Sequence, residues 1–95
     1  MGLLMKTEEF IGKVEEMGYK VSNGWLRVTG KDLKDEYEEL MYIHKGDENR
    51  IHVGLRVKWL VKNDYYGFAA LSSEEKDELM KVVFEYIATE PEDRN

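Results

Sequence analysis

Ile51-His52-Val53-Gly54-Leu55-Arg56-Val57-Lys58-Trp59-Leu60-Val61 is the stretch on which the fold turns. Every odd position is large and apolar, and the even positions before Leu60 are His, Gly, Arg and Lys. Side chains on a strand alternate between two faces, so the pattern predicts one long strand with an apolar side and a basic side. Val53, Leu55 and Val57 are expected in the core. Gly54 is a candidate bulge, beyond which the alternation breaks and the faces of Trp59 and Leu60 are open.

Upstream, Tyr19-Lys20-Val21-Ser22 and Trp25-Leu26-Arg27-Val28 flank Asn23-Gly24. Asn-Gly tolerates the positive φ of a type I′ turn, which predicts a hairpin closed at these two residues. That register puts Tyr19, Val21, Leu26 and Val28 on one face, with Tyr19 opposite Val28. Lys20, Trp25 and Arg27 fall on the other. Asp32 can cap a short helix over 32–38 whose body is Asp35-Glu36-Tyr37-Glu38-Glu39, followed by a strand over 40–45. A strand reading competes for the end of this segment. If Met41 and Ile43 share the core face with Val53 and Leu55, then His44 and His52 lie on the outer face, opposite or diagonal to one another.

The ends read as helices. Thr7 can cap a helix over 7–17, with Phe10, Ile11, Val14 and Met17 at helical spacing and Gly18 as its stop. Ser72 and Glu75 form a capping box for a helix over 73–88. Its stripe is Leu79, Met80, Val83, Phe84 and Ile87. Residues 62–70 read as a loop, 1–5 as a flexible start with Met5 a second candidate first residue, and 90–95 as a charged tail. The expected architecture is one two-layer α+β domain in the order α-β-β-short α-β-β-α. A four-stranded antiparallel sheet carries the N- and C-terminal helices on one face.

Ninety-five residues suit a single small domain, and two Trp, six Tyr and three Phe argue for a packed core. The absence of Cys excludes disulfides and thiolate metal sites and fits a reducing cytoplasm. No apolar run approaches the ~20 residues needed to span a bilayer. A formal net charge of -6 disfavours direct nucleic-acid binding and favours attraction to basic partners.

Two stretches carry a likeness. One is Lys6-Thr7-Glu8-Glu9-Phe10-Ile11, Lys13-Val14-Glu15-Glu16, Gly18-Tyr19 and Val21. The other is Asp64-Tyr65-Tyr66, Phe68, Leu71-Ser72, Glu74-Glu75, Glu78-Leu79, Tyr86, Thr89, Pro91-Glu92 and Arg94. Together, over about half the chain, they resemble a group of small acidic proteins encoded by phages and prophages of Gram-positive bacteria. The chain departs from that group where Glu90 separates Thr89 from Pro91, and where Lys31 to Glu39 looks like an insertion. The group has no settled activity, so no functional residue carries over. The resemblance implies a phage accessory protein in a bacterial cytoplasm. Many such proteins, type II anti-CRISPRs among them, inhibit host nucleases by occupying basic nucleic-acid sites.

Two surfaces are candidates for partner binding. Asp35, Glu36, Glu38 and Glu39 have no evident folding duty and would mimic a phosphate backbone toward a basic host protein such as a CRISPR effector nuclease. Glu74, Glu75, Asp77 and Glu78, by contrast, suit a helix N-terminus. The alternative surface is the outer sheet face, expected to project Lys20, Trp25, Arg27, Tyr42, His44, His52, Arg56 and Lys58. It would serve a protein partner or a homodimer, or remain a solvated face on which long basic stems cover apolar surface. His44 and His52 lack the third ligand a zinc site needs, and no cofactor is expected. No Ser or Cys stands in a nucleophile motif and no Gly-rich loop precedes a helix, so the chain reads as a non-enzymatic binder.

Overall fold

A computed structural model describes residues 4–29, 35–56, 59–63 and 66–94; Val28, Thr29, Asp35 and Glu36 are described through their backbone alone. The element order is α1 (Thr7–Glu16), β1 (Lys20–Thr29), β2 (Asp35–Lys45), β3 (Glu48–Gly54), β4 (Val61–Lys62), α2 (Tyr66–Ala69), α3 (Ser73–Ile87) and a 3-10 turn at Pro91–Asp93. The four strands form one antiparallel sheet in chain order, β1-β2-β3-β4. The α+β architecture is the expected one. Among the described residues, no helix is long and apolar enough to cross a membrane.

The helices share one side of the sheet because each has one apolar stripe. Phe10 and Val14 of α1, and Leu79, Val83, Tyr86 and Ile87 of α3, are buried with Met41, Ile43, Ile51 and Val53 of the sheet. The Phe10 and Tyr86 rings stack at 4.5 Å between centroids. As parity required, Met41 pairs with Val53 and Ile43 with Ile51. Gly18, at φ 95°, ends α1. The Tyr19 and Gly18 amides donate to the carbonyls of Val14 and Glu15, the paired bonds of a Schellman motif. Thr7 does not cap α1. It is the first helical residue, and its hydroxyl lies 2.8 Å from the Tyr86 hydroxyl.

The Ser72–Glu75 capping box is present, with each side chain bonded to the other's backbone amide. The Ser72 amide first, and the Ser72 hydroxyl after it, hold the Glu75 carboxyl below its ordinary pKa. A depressed carboxyl stabilises the fold above its unfolded pKa, and that stabilisation is lost as pH falls through the folded value. Ser72→Ala is expected to cost about 0.5–2 kcal/mol. It should also move the Glu75 titration midpoint upward in an NMR pH series by the hydroxyl's share alone, since the amide bond is kept; an unmoved midpoint would mean that the hydroxyl does not act on the carboxyl. Tyr19 shifts the other way. Burial, helped by Glu75 and Glu78 against Arg50, raises its phenol pKa, so its contribution holds below the unfolded value and fades as pH rises through the folded one.

Four further expectations, on the strands and the α3 stripe, are corrected. First, there is no hairpin at Asn23-Gly24. β1 runs through both residues, and Asn23 pairs with Met41 and Gly24 with Leu40. Neither residue has positive φ. An unbroken β1 makes ten pairs with β2, Lys20↔His44 to Thr29↔Asp35, where the hairpin would have made four. Val28 therefore stands opposite Glu36 rather than Tyr19. Second, residues 35–38 are strand, not helix, because β1 offers them a partner that overrides local preference. The expected cap Asp32 lies outside the described residues.

Third, the long strand ends at Gly54. The Gly54 amide donates to the Leu60 carbonyl at 2.8 Å, and the Leu60 side chain occupies the space a Cβ on Gly54 would need. Trp59 takes φ 68° and the chain returns as β4, pairing Val61 with Val53 and Lys62 with His52. Leu55 is only partly buried, and Val57 and Lys58 lie outside the described residues. The strand count of four survives because one expected hairpin fuses while one expected strand folds back. Fourth, Phe84 is 51% exposed. The buried stripe of α3 runs through 79, 83, 86 and 87, which leaves Phe84 at its flank against Trp59, ring centroids 5.7 Å apart.

The chain ends are also better anchored than composition suggests. Met5 is buried and its amide donates to Thr89 Oγ1 at 3.0 Å. Arg94, expected in a charged tail, is 1% exposed.

Candidate partner-binding surface

β1 and β2 run on past the end of β3 as a two-stranded arm, because β3 pairs only with residues 40–45 of β2. Pairing fixes which side chains share a face. Trp25↔Glu39 and Arg27↔Tyr37 alternate in phase with Val21↔Ile43 and Asn23↔Met41, so these four belong to the side on which the helices pack. On the arm the core no longer covers them. Trp25 is 61% exposed and Tyr37 60% exposed, and Arg27 is exposed beside them. Arg56, where the chain leaves β3, joins this block. Its Nε donates to Glu39 Oε2 at 3.2 Å, and the Leu55 amide donates to the Glu39 carbonyl at 3.0 Å.

The expected outer face is therefore split. Lys20, Tyr42, His44 and His52 do share the side away from the helices. Trp25 and Arg27 do not: without a turn at 23–24 the register of β1 is continuous, and its even residues face away from the helices while its odd residues face toward them. Arg56 lies beyond the end of β3, and Lys58 lies outside the described residues. Nor is the far side an open basic surface. Leu40, His52 and Gly54 are buried there. The His52 ring stacks on Tyr42 with centroids 3.9 Å apart and 16° between planes. His44 and His52 are diagonal neighbours, since His52 pairs with Tyr42 and His44 pairs with Asn49 across a bulge. His44 Nδ1 lies 3.3 Å from the Gly46 carbonyl. No group of three metal-ligating side chains exists among the described residues.

The four acids do not form one patch. Glu38 and Glu39 are adjacent strand residues and take opposite faces, while the side chains of Asp35 and Glu36 lie outside the described residues. Glu39 is half-buried and engaged by Arg56, so it offers little free charge. That pair is exposed at its Arg56 end, and exposed pairs contribute about 0–1 kcal/mol.

Tyr37 was not among the expected contact residues. Its acidic neighbours favour a helix, and only its strand register places it beside Arg27. A period-two reading of Tyr37, Glu39 and Met41 was the available signal. No family model, curated protein or solved structure matches this chain.

Proposed function

We propose that this protein is a non-enzymatic binding module that docks onto a partner protein through the helix-side face of its β1–β2 arm. The observation that carries this reading is the placement of Trp25 and Tyr37, both largely exposed, as neighbours on one face between Arg27 and Arg56. Trp, Tyr and Arg are the residue types that dominate interface energetics, because each combines a large desolvatable area with a directional polar group. The net charge of -6 supports a protein partner over nucleic acid. The phage context implied by the two terminal segments makes a host defence protein, such as a guide-directed nuclease, the partner class we propose. Acidic mimicry through Asp35, Glu36, Glu38 and Glu39 is the weaker mode, since Glu38 and Glu39 take opposite faces and Glu39 is engaged by Arg56.

Binding of a captured host partner by three forms of the protein separates the modes. Trp25→Ala with Tyr37→Ala is expected to weaken binding by about thirty-fold or more, the scale of one hot spot. Neutralising the four acids as Asn and Gln should change affinity only a few-fold. The reverse ranking, with binding that also falls steeply as salt rises, would replace the arm with mimicry.

A further inference from the structure

We propose that the outer edge of β1 is a strand-pairing surface for a second copy of this chain, and that the Tyr42 hydroxyl holds it closed. The directions of the backbone groups follow from two bonds. The Gly54 amide points to Leu60 and the Leu55 amide to the Glu39 carbonyl, so Glu39 aims its backbone at the β3 side. In an antiparallel strand successive residues aim their amide and carbonyl to opposite sides. Leu40, Tyr42 and His44 therefore point toward β1, and their partners Gly24, Ser22 and Lys20 point back toward β2. Val21, Asn23, Trp25, Arg27 and Thr29 must then aim their amides and carbonyls outward, along the edge that has no strand beyond it among the described residues.

At the midpoint of those five, one side chain intervenes. Tyr42 lies on the far side of the sheet, and its ring passes over Gly24, where a Cβ would collide with the ring. Its hydroxyl reaches across β1 to the backbone of Trp25. The Trp25 amide donates to Tyr42 Oη at 3.2 Å, and the hydroxyl donates to the Trp25 carbonyl at 3.4 Å. One hydroxyl, acting as acceptor and donor, thus satisfies both outward groups of a single edge residue. This gives Asn23-Gly24 a duty other than a turn: Gly24 leaves the path by which Tyr42 crosses.

The position matters more than the number of bonds. A new strand needs several consecutive outward positions, and any run of three or more among 21, 23, 25, 27 and 29 includes 25. Closing Trp25 closes the edge. The occupant that fits when it opens is β1 of another copy. β1 carries Lys20 and Arg27 and no acid. In the antiparallel register centred on Gly24, Lys20 stands opposite Val28 and Arg27 opposite Val21, so like charges do not face each other. An open edge ten residues long is otherwise a liability that natural sheets protect.

Amide exchange in the unaltered protein tests the lock, and sedimentation tests the partner. Trp25 should exchange roughly five- to ten-fold more slowly than Asn23, the scale of one hydrogen bond. Tyr42→Phe, which keeps the ring, should remove that difference. The unaltered chain should sediment as a monomer, and Tyr42→Phe should show a monomer–dimer equilibrium over the same concentration series. Adding Asn23→Pro, which deletes one outward amide at an exposed edge position, should restore the monomer. Trp25 exchanging as fast as Asn23 overturns the proposal, whether or not the variants fold. So do an unaltered chain that is already a dimer, a monomeric Tyr42→Phe, or a Tyr42→Phe dimer indifferent to Asn23→Pro.

Discussion

Phe10→Ala is expected to lower the unfolding free energy by about 3–5 kcal/mol, the usual cost of deleting a fully buried aromatic side chain. Phe10 is wholly buried, stacked on Tyr86, and sits where α1, α3 and the sheet meet. Its removal leaves a cavity that neighbours in three elements cannot all close. The ring of Tyr86 is held by Thr7 through its hydroxyl and by Arg94 over its face, 4.4 Å from its centroid, so it is not free to move into the gap. For a domain of this size such a loss is a large part of the total stability. Urea denaturation checks it. A loss below 1 kcal/mol would mean that α1 packs on the sheet more loosely than the stacked rings require.

The helices and the central strand pair were legible because their signals are local. Gly18 as a stop, the Ser72–Glu75 box and the parity of Met41, Ile43 and Val53 each rest on a few adjacent residues. The errors came where a local signal met a stronger long-range one. Asn23-Gly24 has the composition of a turn, but an unbroken β1 gains a ten-residue partner in β2. Glu-rich 35–39 has the composition of a helix, but it lies opposite 25–29. The pattern of 51–61 gives no sign that the chain reverses at Trp59, since a Trp with positive φ leaves no periodic mark. These long-range pairings decide which side chains share the proposed surface. Moving Trp25 and Arg27 to the helix side and Tyr37 into a strand turns two separate candidate surfaces into the mixed aromatic–basic face of the arm.

Arg94→Ala should destabilise by about 3–5 kcal/mol, the scale on which buried charged hydrogen-bond networks fail when their hub is removed. Composition placed this residue in a solvated tail, and the fold makes it a hub. Its Nε donates to the Thr89 carbonyl at 3.1 Å. Its Nη1 donates to the carbonyls of Gly54 and Leu55 at 3.1 and 3.0 Å, and Nη2 to that of Ile87 at 3.4 Å. These carbonyls lie at the end of β3 and just past the end of α3, where the Trp59 amide also donates to the Ile87 carbonyl at 3.0 Å. A planar guanidinium spreads donors in three directions at once, whereas an ammonium on a flexible stem cannot hold the same fork. Arg94→Lys is therefore expected to recover less than half of the loss. The carbonyl of Arg94 also accepts from the Thr7 amide at 2.7 Å, so the same residue fastens the start of α1. Because Leu55 is one residue from Arg56 and bonds to Glu39 of the arm, loosening Arg94 should be felt at the arm. Amide exchange in Arg94→Ala should rise first at Leu55 and Thr7. Exchange unchanged there, together with an unfolding free energy within 1 kcal/mol of the unaltered chain, would return the last residues to the status of a tail.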